Sequence, residues 1–371
     1  MMPRSSSVTQ RSGKSALLLT TAVLAASLLL FSVVTDQRQS SLQPPSTRGR
    51  RLPLQLSSFG DPKTSQAKPP AQHGRRNMAD RSTSFGPDEF PYPLTCDKND
   101  LTAFLRNADL IDNQTGEKKI AINIVYHIGM VGNWKTVFED QFNTMNQCGL
   151  LDAADCLYLT YSNGDGGILP LMQEVLTPLL GDNFHKVKSI EESTQSPWEA
   201  PAMNMMHRHC NSSPSPKEEV IFYFHNKGTS RWSEDWKSKM DVSESYAYSL
   251  YWRKYLEYFT IERPQLCLEQ LLLGGATSCG PNWRPGNIDN FKDREVPEGK
   301  HIITNHYSGN FWSATCDHIN HLEPMVGDNM WYTDAELWIG RYEGKQARLT
   351  THFKRLYSNL ILPEEYAIIE K

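Results

Sequence analysis

Glu218 to Ser230 reads EEVIFYFHNKGTS. A run of β-branched and aromatic residues (Val220, Ile221, Phe222, Tyr223, Phe224) breaks at once into His225-Asn226-Lys227-Gly228. A short apolar run bounded by charge and glycine predicts a strand buried on both faces, as at the centre of a parallel sheet. Open α/β sheets take ligands just beyond the carboxyl ends of such strands. A histidine and a lysine placed there suit an anionic group, and Gly228 lets the backbone come close. Taken alone, the stretch reads first as a strand that ends in an ordinary polar turn; other parts of the chain shift that reading.

The segments before it repeat the pattern. Lys119 to Ile128 (KIAINIVYHI) is a first strand, and its polar end carries His127. Asn133 to Cys148 follows with Trp134, Val137, Phe138, Phe142 and Met145, the spacing of an amphipathic helix capped by Asn133 and stopped by Gly149. Cys156 to Tyr161 is a second strand, closed by a turn from Ser162 through Asn163 and Asp165 to Gly167. Leu169 to Leu180 reads as a helix, Phe184 to Ile190 as a third strand, and Trp198 to Cys210 as a helix. Regular β-α-β order implies a mostly parallel sheet with helices on both faces, so the ends at His127, Ser162 and His225 share one rim. Ser243 to Leu273 is aromatic-rich and helical, apart from a break near Pro264.

Only the part after about residue 90 reads as globular. Residues 1–14 hold Arg4, Arg11 and Lys14 and no acid; 15–34 are an uncharged apolar run of twenty residues. That length lets a helix cross the ~30 Å hydrocarbon core, and the basic flank favours a cytoplasmic amino terminus. Residues 35–90, rich in Ser, Pro, Gln and Arg, read as a disordered stem. The expected plan is a single-pass type II membrane protein: a cytoplasmic tail, an anchor over 15–34, the stem, and a lumenal domain over 91–371 in the Golgi or another secretory compartment. A formal charge of −4 and 39% hydrophobic residues show no basic excess for nucleic acid.

All seven cysteines follow the stem, where disulfides are permitted, and none forms a CxxC pair. Cys148 with Cys156 and Cys267 with Cys279 are the pairs to test first, each bridging a helix end to the next strand; spacing leaves the pairing open, and the odd number leaves at least one thiol free or paired between chains. Asn113-Gln-Thr and Asn211-Ser-Ser are N-glycosylation sequons.

Three further elements combine large rings with polar groups and glycine: Thr277 to Arg284 (TSCGPNWR, with Trp283), His306 to Trp312 (HYSGNFW, with Ser308 and Asn310), and Asp334 to Gly340 (DAELWIG). Flat rings flanked by hydrogen-bonding groups suit carbohydrate, although Trp and Tyr also build cores.

HNKGTS, YWRKYLEYF, CGPNW, HYSGNFW and AELWIG together resemble a poorly characterised family of glycosyltransferase-like proteins of algae, bacteria and large DNA viruses. The resemblance covers roughly residues 118–342, and HNKG followed by HYSGNFW is its specific part. It implies an A-type glycosyltransferase fold, a single Rossmann-like domain that takes a nucleotide-sugar donor and passes the sugar to a glycan or glycoprotein acceptor. Metal-dependent enzymes of that fold carry Asp-x-Asp after the fourth strand. This chain has His225-Asn226-Lys227 there and no Asp-x-Asp elsewhere, so a Mg²⁺ or Mn²⁺ site is not secured, and Asn163-Gly164-Asp165 is a weak substitute. Lys227, helped by His225, is then expected to neutralise part of the donor's charge.

Inverting transfer needs a base for the acceptor hydroxyl, and a carboxylate suits it. Glu336 is the first candidate and Asp334 the second; either reads also as a helix-start carboxylate that pairs locally. His306 would bind donor or acceptor, or orient the Ser308-Gly309-Asn310 turn. The alternative from another class is a non-catalytic lumenal carbohydrate-binding protein on the same fold. No Gly-x-Ser-x-Gly elbow, HExxH or GxxxxGK[ST] loop supports a hydrolase or P-loop reading.

Overall fold

The structure, a computed structural model, describes residues 96–162, 168–193, 199–229, 242–286, 304–326, 330, 333–350 and 366. Among them, seven strands form one sheet: β1 (Ala121–Gly129), β2 (Cys156–Ser162), β3 (Val187–Ser193), β4 (Glu219–His225), β5 (Ser278–Gly280), β8 (Trp312–Thr315) and β9 (Gln346–Arg348). Their order is β3-β2-β1-β4-β8-β5-β9. The β3-β2, β2-β1, β1-β4 and β5-β9 pairs are parallel, whereas β8 runs antiparallel to both β4 and β5. A separate small ladder joins β6 (Trp283–Arg284) to β7 (His306–Tyr307).

Alternation along β1 and β4 explains the two cores. Ile122, Ile124, Tyr126 and Ile128 share one face with Val220, Phe222 and Phe224. That face packs on α2 (Trp134–Gln147), whose buried Phe138 and Phe142 meet the Tyr126 ring at 5.3 and 5.2 Å. Val125, Ile221 and Tyr223 lie on the opposite face, under Met203 and Met206 of α3 (Ala200–Asn211). A strand with apolar residues on both faces belongs inside a layered sheet, and each such side chain buried contributes about 1.5–3 kcal/mol. Ahead of the sheet, α1 (Lys98–Asn107) is capped by Asp97 in a reciprocal box with Asp100. Beyond it, α4 (Val242–Glu257) continues as helical turns to Glu262, and the helix resumes at Pro264, where the break was expected. Two short helices close the domain, α5 (Cys316–Asn320) and α6 (Asp334–Trp338).

The expected mixed α/β order with a mostly parallel sheet stands. Its transmembrane part is corrected: among the described residues no helix is long and apolar enough to cross a membrane. The 15–34 anchor and the 35–90 stem lie outside the described residues. β8 was not expected as a strand. Its four buried residues sit between β4 and β5, so the chain following HYSGN enters the sheet before turning into α5.

Three disulfides staple the domain: Cys96–Cys148, Cys210–Cys316 and Cys267–Cys279. The last was expected, but Cys148 with Cys156 was not the pair formed. Cys148 is reached instead by Cys96, just ahead of α1, whose Leu101 and Leu105 are buried in the core. Cys156 remains a free thiol at the start of β2. Both sequon asparagines, Asn113 and Asn211, are exposed.

Candidate functional site

β1 lies between β2 and β4, and its register places His127 directly between Thr160 and His225. This is where the strand order reverses, the crevice at which open α/β sheets take ligands. The three side chains share the α3 face of the sheet. His127 Nδ1 meets Thr160 Oγ1 at 2.8 Å, and its Nε2 meets Ser162 Oγ at 3.3 Å. Asn226 closes the rim: its Nδ2 donates to the Gly129 carbonyl and its Oδ1 accepts from the Gly129 N–H, both at 2.8 Å.

Glu199, just ahead of α3, faces this rim. Its Oε1 lies 3.1 Å from His225 Nδ1, and its Oε2 accepts from Tyr223 Oη at 2.6 Å and from Asn310 Nδ2 at 2.5 Å. Burial would raise the Glu199 carboxyl. The charge and hydrogen bond of His225, joined by His127 and the Tyr223 hydroxyl, outweigh it and hold the group far below the usual carboxylate range. The helix amino terminus favours the same charge. His127 is also lowered, but here burial wins: it brings the imidazole from 6.5 down to about 4, against the pull of Glu199 and with the repulsion of His225.

Four of the sequence motifs meet at one turn. Asn310 N–H donates to the Tyr307 carbonyl at 2.9 Å, closing a β-turn whose third residue, Gly309, has φ +102. That conformation favours glycine. The HNKG element reaches the turn through His225 Nε2, 3.1 Å from the Gly309 carbonyl. AELWIG reaches it through Glu336, whose Oε1 accepts from the Gly309 N–H at 2.6 Å. CGPNW reaches it through Asn282, which exchanges two 3.0 Å hydrogen bonds with Ser308. YWRKYLEYF supplies Trp252, whose Nε1 would lie 3.0 Å from a Cβ on Gly309, and Lys227 Nζ sits 4.6 Å above the Trp252 ring. Glu336 thus touches the turn directly, and Lys227 approaches it only through Trp252.

The expected site residues divide into two groups. His127, His225, Asn226 and Asn310 are buried, with their polar atoms bound inside the protein. His225 and Asn310 hold the turn, whereas His127 is bonded to Thr160 and Ser162 and Asn226 to Gly129. Both ring nitrogens of His225 face protein oxygens, so it is not placed to help Lys227 as the sequence suggested. Trp283 and Trp312 are 3% and 0% exposed. Trp283 packs edge-on against Tyr307, and Trp312 donates to Asn310 Oδ1 at 2.7 Å; neither offers a face to a sugar. Lys227, Ser308 and Glu336 are half-buried and can meet a ligand at the rim. Asp334 faces Arg341 at 3.7 Å, and His306 turns Nδ1 to the Thr304 carbonyl at 2.9 Å. Asn163 and Asp165 lie outside the described residues.

Glu199 is the residue of this cluster that the sequence did not single out. It is the only acid between Glu192 and Glu218, and it immediately precedes an uncharged helical run. A lone carboxylate between a strand end and a helix start was the available signal.

The carboxylate inventory bears on a divalent ion. Both Glu199 oxygens are taken by protein donors, and Glu336 keeps only Oε2 without a recorded partner among the described residues. Hard cations need several oxygen ligands, so the described residues of this rim do not fit Mg²⁺ or Mn²⁺. Compared with protein-family models and with curated proteins, the chain matches none.

Proposed function

We propose that this chain is a glycosyltransferase that takes a nucleotide-sugar donor and transfers the sugar to a glycan or glycoprotein hydroxyl. The observation that carries this reading is the meeting of HNKG, YWRKYLEYF, CGPNW, HYSGNFW and AELWIG around Gly309, at the reversal point of the sheet. Lys227, half-buried beside Trp252, offers a cation to the donor diphosphate. Glu336, held through Oε1, keeps Oε2 to take the acceptor proton. Half-buried Glu199 and the buried His225 and Asn310 fix the turn between them, so the donor cation and the base stand in one arrangement. No step is assigned to a metal ion. Three disulfides fit an oxidising compartment such as the Golgi lumen.

A non-catalytic carbohydrate-binding protein would need rings exposed to stack on sugar. Burial of Trp283 and Trp312 weighs against it. Incubation of the protein with a panel of nucleotide sugars, with Mn²⁺ and with EDTA, tests the proposal. Donor turnover that survives EDTA and weakens in Lys227→Ala through a raised KM is expected. Glycan binding without any nucleotide-sugar binding would overturn it in favour of the lectin.

A further inference from the structure

The opposite end of the same sheet face holds a second polar cluster that the proposed reaction does not use. As Glu199 marks one end of α3, His209 marks the other. Its Nε2 lies 2.5 Å from Glu219 Oε1 at the start of β4, and its Nδ1 lies 2.9 Å from the Tyr158 hydroxyl. Asn123, 1% exposed, donates Nδ2 to Glu219 Oε1 at 2.5 Å, while its Oδ1 is buried without a hydrogen-bond partner. The next residue of the helix, Cys210, is bridged to Cys316. Ligand atoms of His209, Glu219 and Cys316 all lie within 4.8 Å of one another.

We propose that the Cys210–Cys316 bridge masks a zinc site: once it is opened, the Cys316 and Cys210 thiolates join His209 Nε2 and Glu219 Oε1 around one Zn²⁺. Tetrahedral zinc with sulfur, nitrogen and oxygen ligands sets its donors about 3.3–3.8 Å apart, a spacing the three measured donors can reach by small adjustments. Ordinary zinc sites also need outer partners that orient the ligands. Tyr158 stands ready at His209 Nδ1, and Asn123 at Glu219 Oε1.

The chemistry balances with a dithiol as reductant. Two electrons and two protons pass from the dithiol to the sulfur–sulfur bond, leaving the two cysteine thiols and an oxidised, cyclic reductant. Zn²⁺ displaces one proton from each thiol to solvent. His209 binds the ion through Nε2 with its ring proton on Nδ1, where it faces the Tyr158 oxygen. Bridge and ion hold the same two places together, the end of α3 and the start of α5, so the fold survives the exchange.

Cobalt(II), a spectroscopic stand-in for zinc, tests this on the full chain. Cys210→Ser frees the Cys316 thiol with the other two disulfides still closed, so no reductant is needed. This variant is expected to bind one cobalt ion per chain, with a thiolate charge-transfer band and the visible bands of a four-coordinate ion, displaced by one equivalent of zinc. Adding Glu219→Gln or His209→Ala should abolish the band, and Tyr158→Phe should weaken zinc binding about 10–100-fold. The reduced wild-type chain, freed of dithiothreitol, should show about twice the charge-transfer intensity, from two thiolates. A folded Cys210→Ser protein without the thiolate band overturns the proposal, as does a band that persists in His209→Ala. Should Cys210→Ser not fold, reduced wild type against reduced His209→Ala decides: equal bands overturn the site, and a band lost only in the variant supports it.

Discussion

His225 and Glu336, far apart in sequence, are joined through a single glycine. The Gly309 carbonyl takes His225 Nε2 at 3.1 Å, and the Gly309 N–H is held by Glu336 Oε1 at 2.6 Å. One peptide segment thus couples the carboxyl end of β4 to α6. Displacement of the turn would move both the end of β4 and Glu336.

Gly309→Ala tests how firmly that turn is pinned. At φ +102 an alanine is strained, and its Cβ would stand 2.6 Å from Leu256 Cδ1. Backbone strain and overpacking together should cost about 2–5 kcal/mol. Urea denaturation should show a lower midpoint with an unchanged slope. A variant within about 0.5 kcal/mol of wild type would mean that the turn gives way freely.

Glu336→Gln separates charge from scaffold. An amide oxygen can still accept the Gly309 N–H, so stability should change by less than about 1 kcal/mol. Loss of the base should lower turnover about 10²–10⁴-fold. Paired denaturation and kinetic measurements on the same preparation read both quantities. Near-normal turnover would remove Glu336 from the mechanism.

Much of the framework was legible because strands and amphipathic helices announce themselves locally. VIFYF and IAINIVYHI alternate into two cores, and the spacing of Val137, Phe138, Phe142 and Met145 prescribes one helix face. The motifs were also visible, but not the division of labour within them. Whether a tryptophan stacks on ligand or fills a core depends on what lies above it, and for Trp312 that is Tyr223 at 5.2 Å and Trp338 at 6.4 Å. Glu199 was hidden for a related reason: its role arises from Tyr223, His225 and Asn310, donors on three separate stretches that only the folded sheet assembles. β8 was missed because WSAT is too short and too mixed to show a strand period.

Glu199 is predicted to be costly to remove and cheaper to neutralise. Glu199→Ala leaves the Tyr223 hydroxyl, the Asn310 amide and the His225 ring without their common acceptor in a buried place. Breaking such a pair should cost about 3–5 kcal/mol. Glu199→Gln keeps one acceptor oxygen and should cost about 1–3 kcal/mol. The ordering Ala worse than Gln, measured by thermal and urea unfolding, is the test. Equal and small effects would show that the cluster does not fix the rim.

Acid should loosen this fold in a defined window. His127 and His318 are buried, and burial chiefly brings each from 6.5 down to about 4. Their folded values lie below their unfolded ones, so between these limits the unfolded chain binds more protons than the native one. Stability therefore rises with pH across this window. Each histidine's contribution, about 3 kcal/mol, is complete above pH 6.5 and is lost as pH falls toward 4. Glu199 extends the loss downward: its folded carboxyl lies below the ordinary 4.5, so its share is present above that value and disappears as pH falls through the folded one. Urea midpoints measured at half-unit steps from pH 7.5 to pH 4 should decline steadily below 6.5, and His127→Gln should flatten the slope by up to about 1.4 kcal/mol per pH unit. An unchanged slope in that variant would show that His127 titrates alike in the folded and unfolded chain.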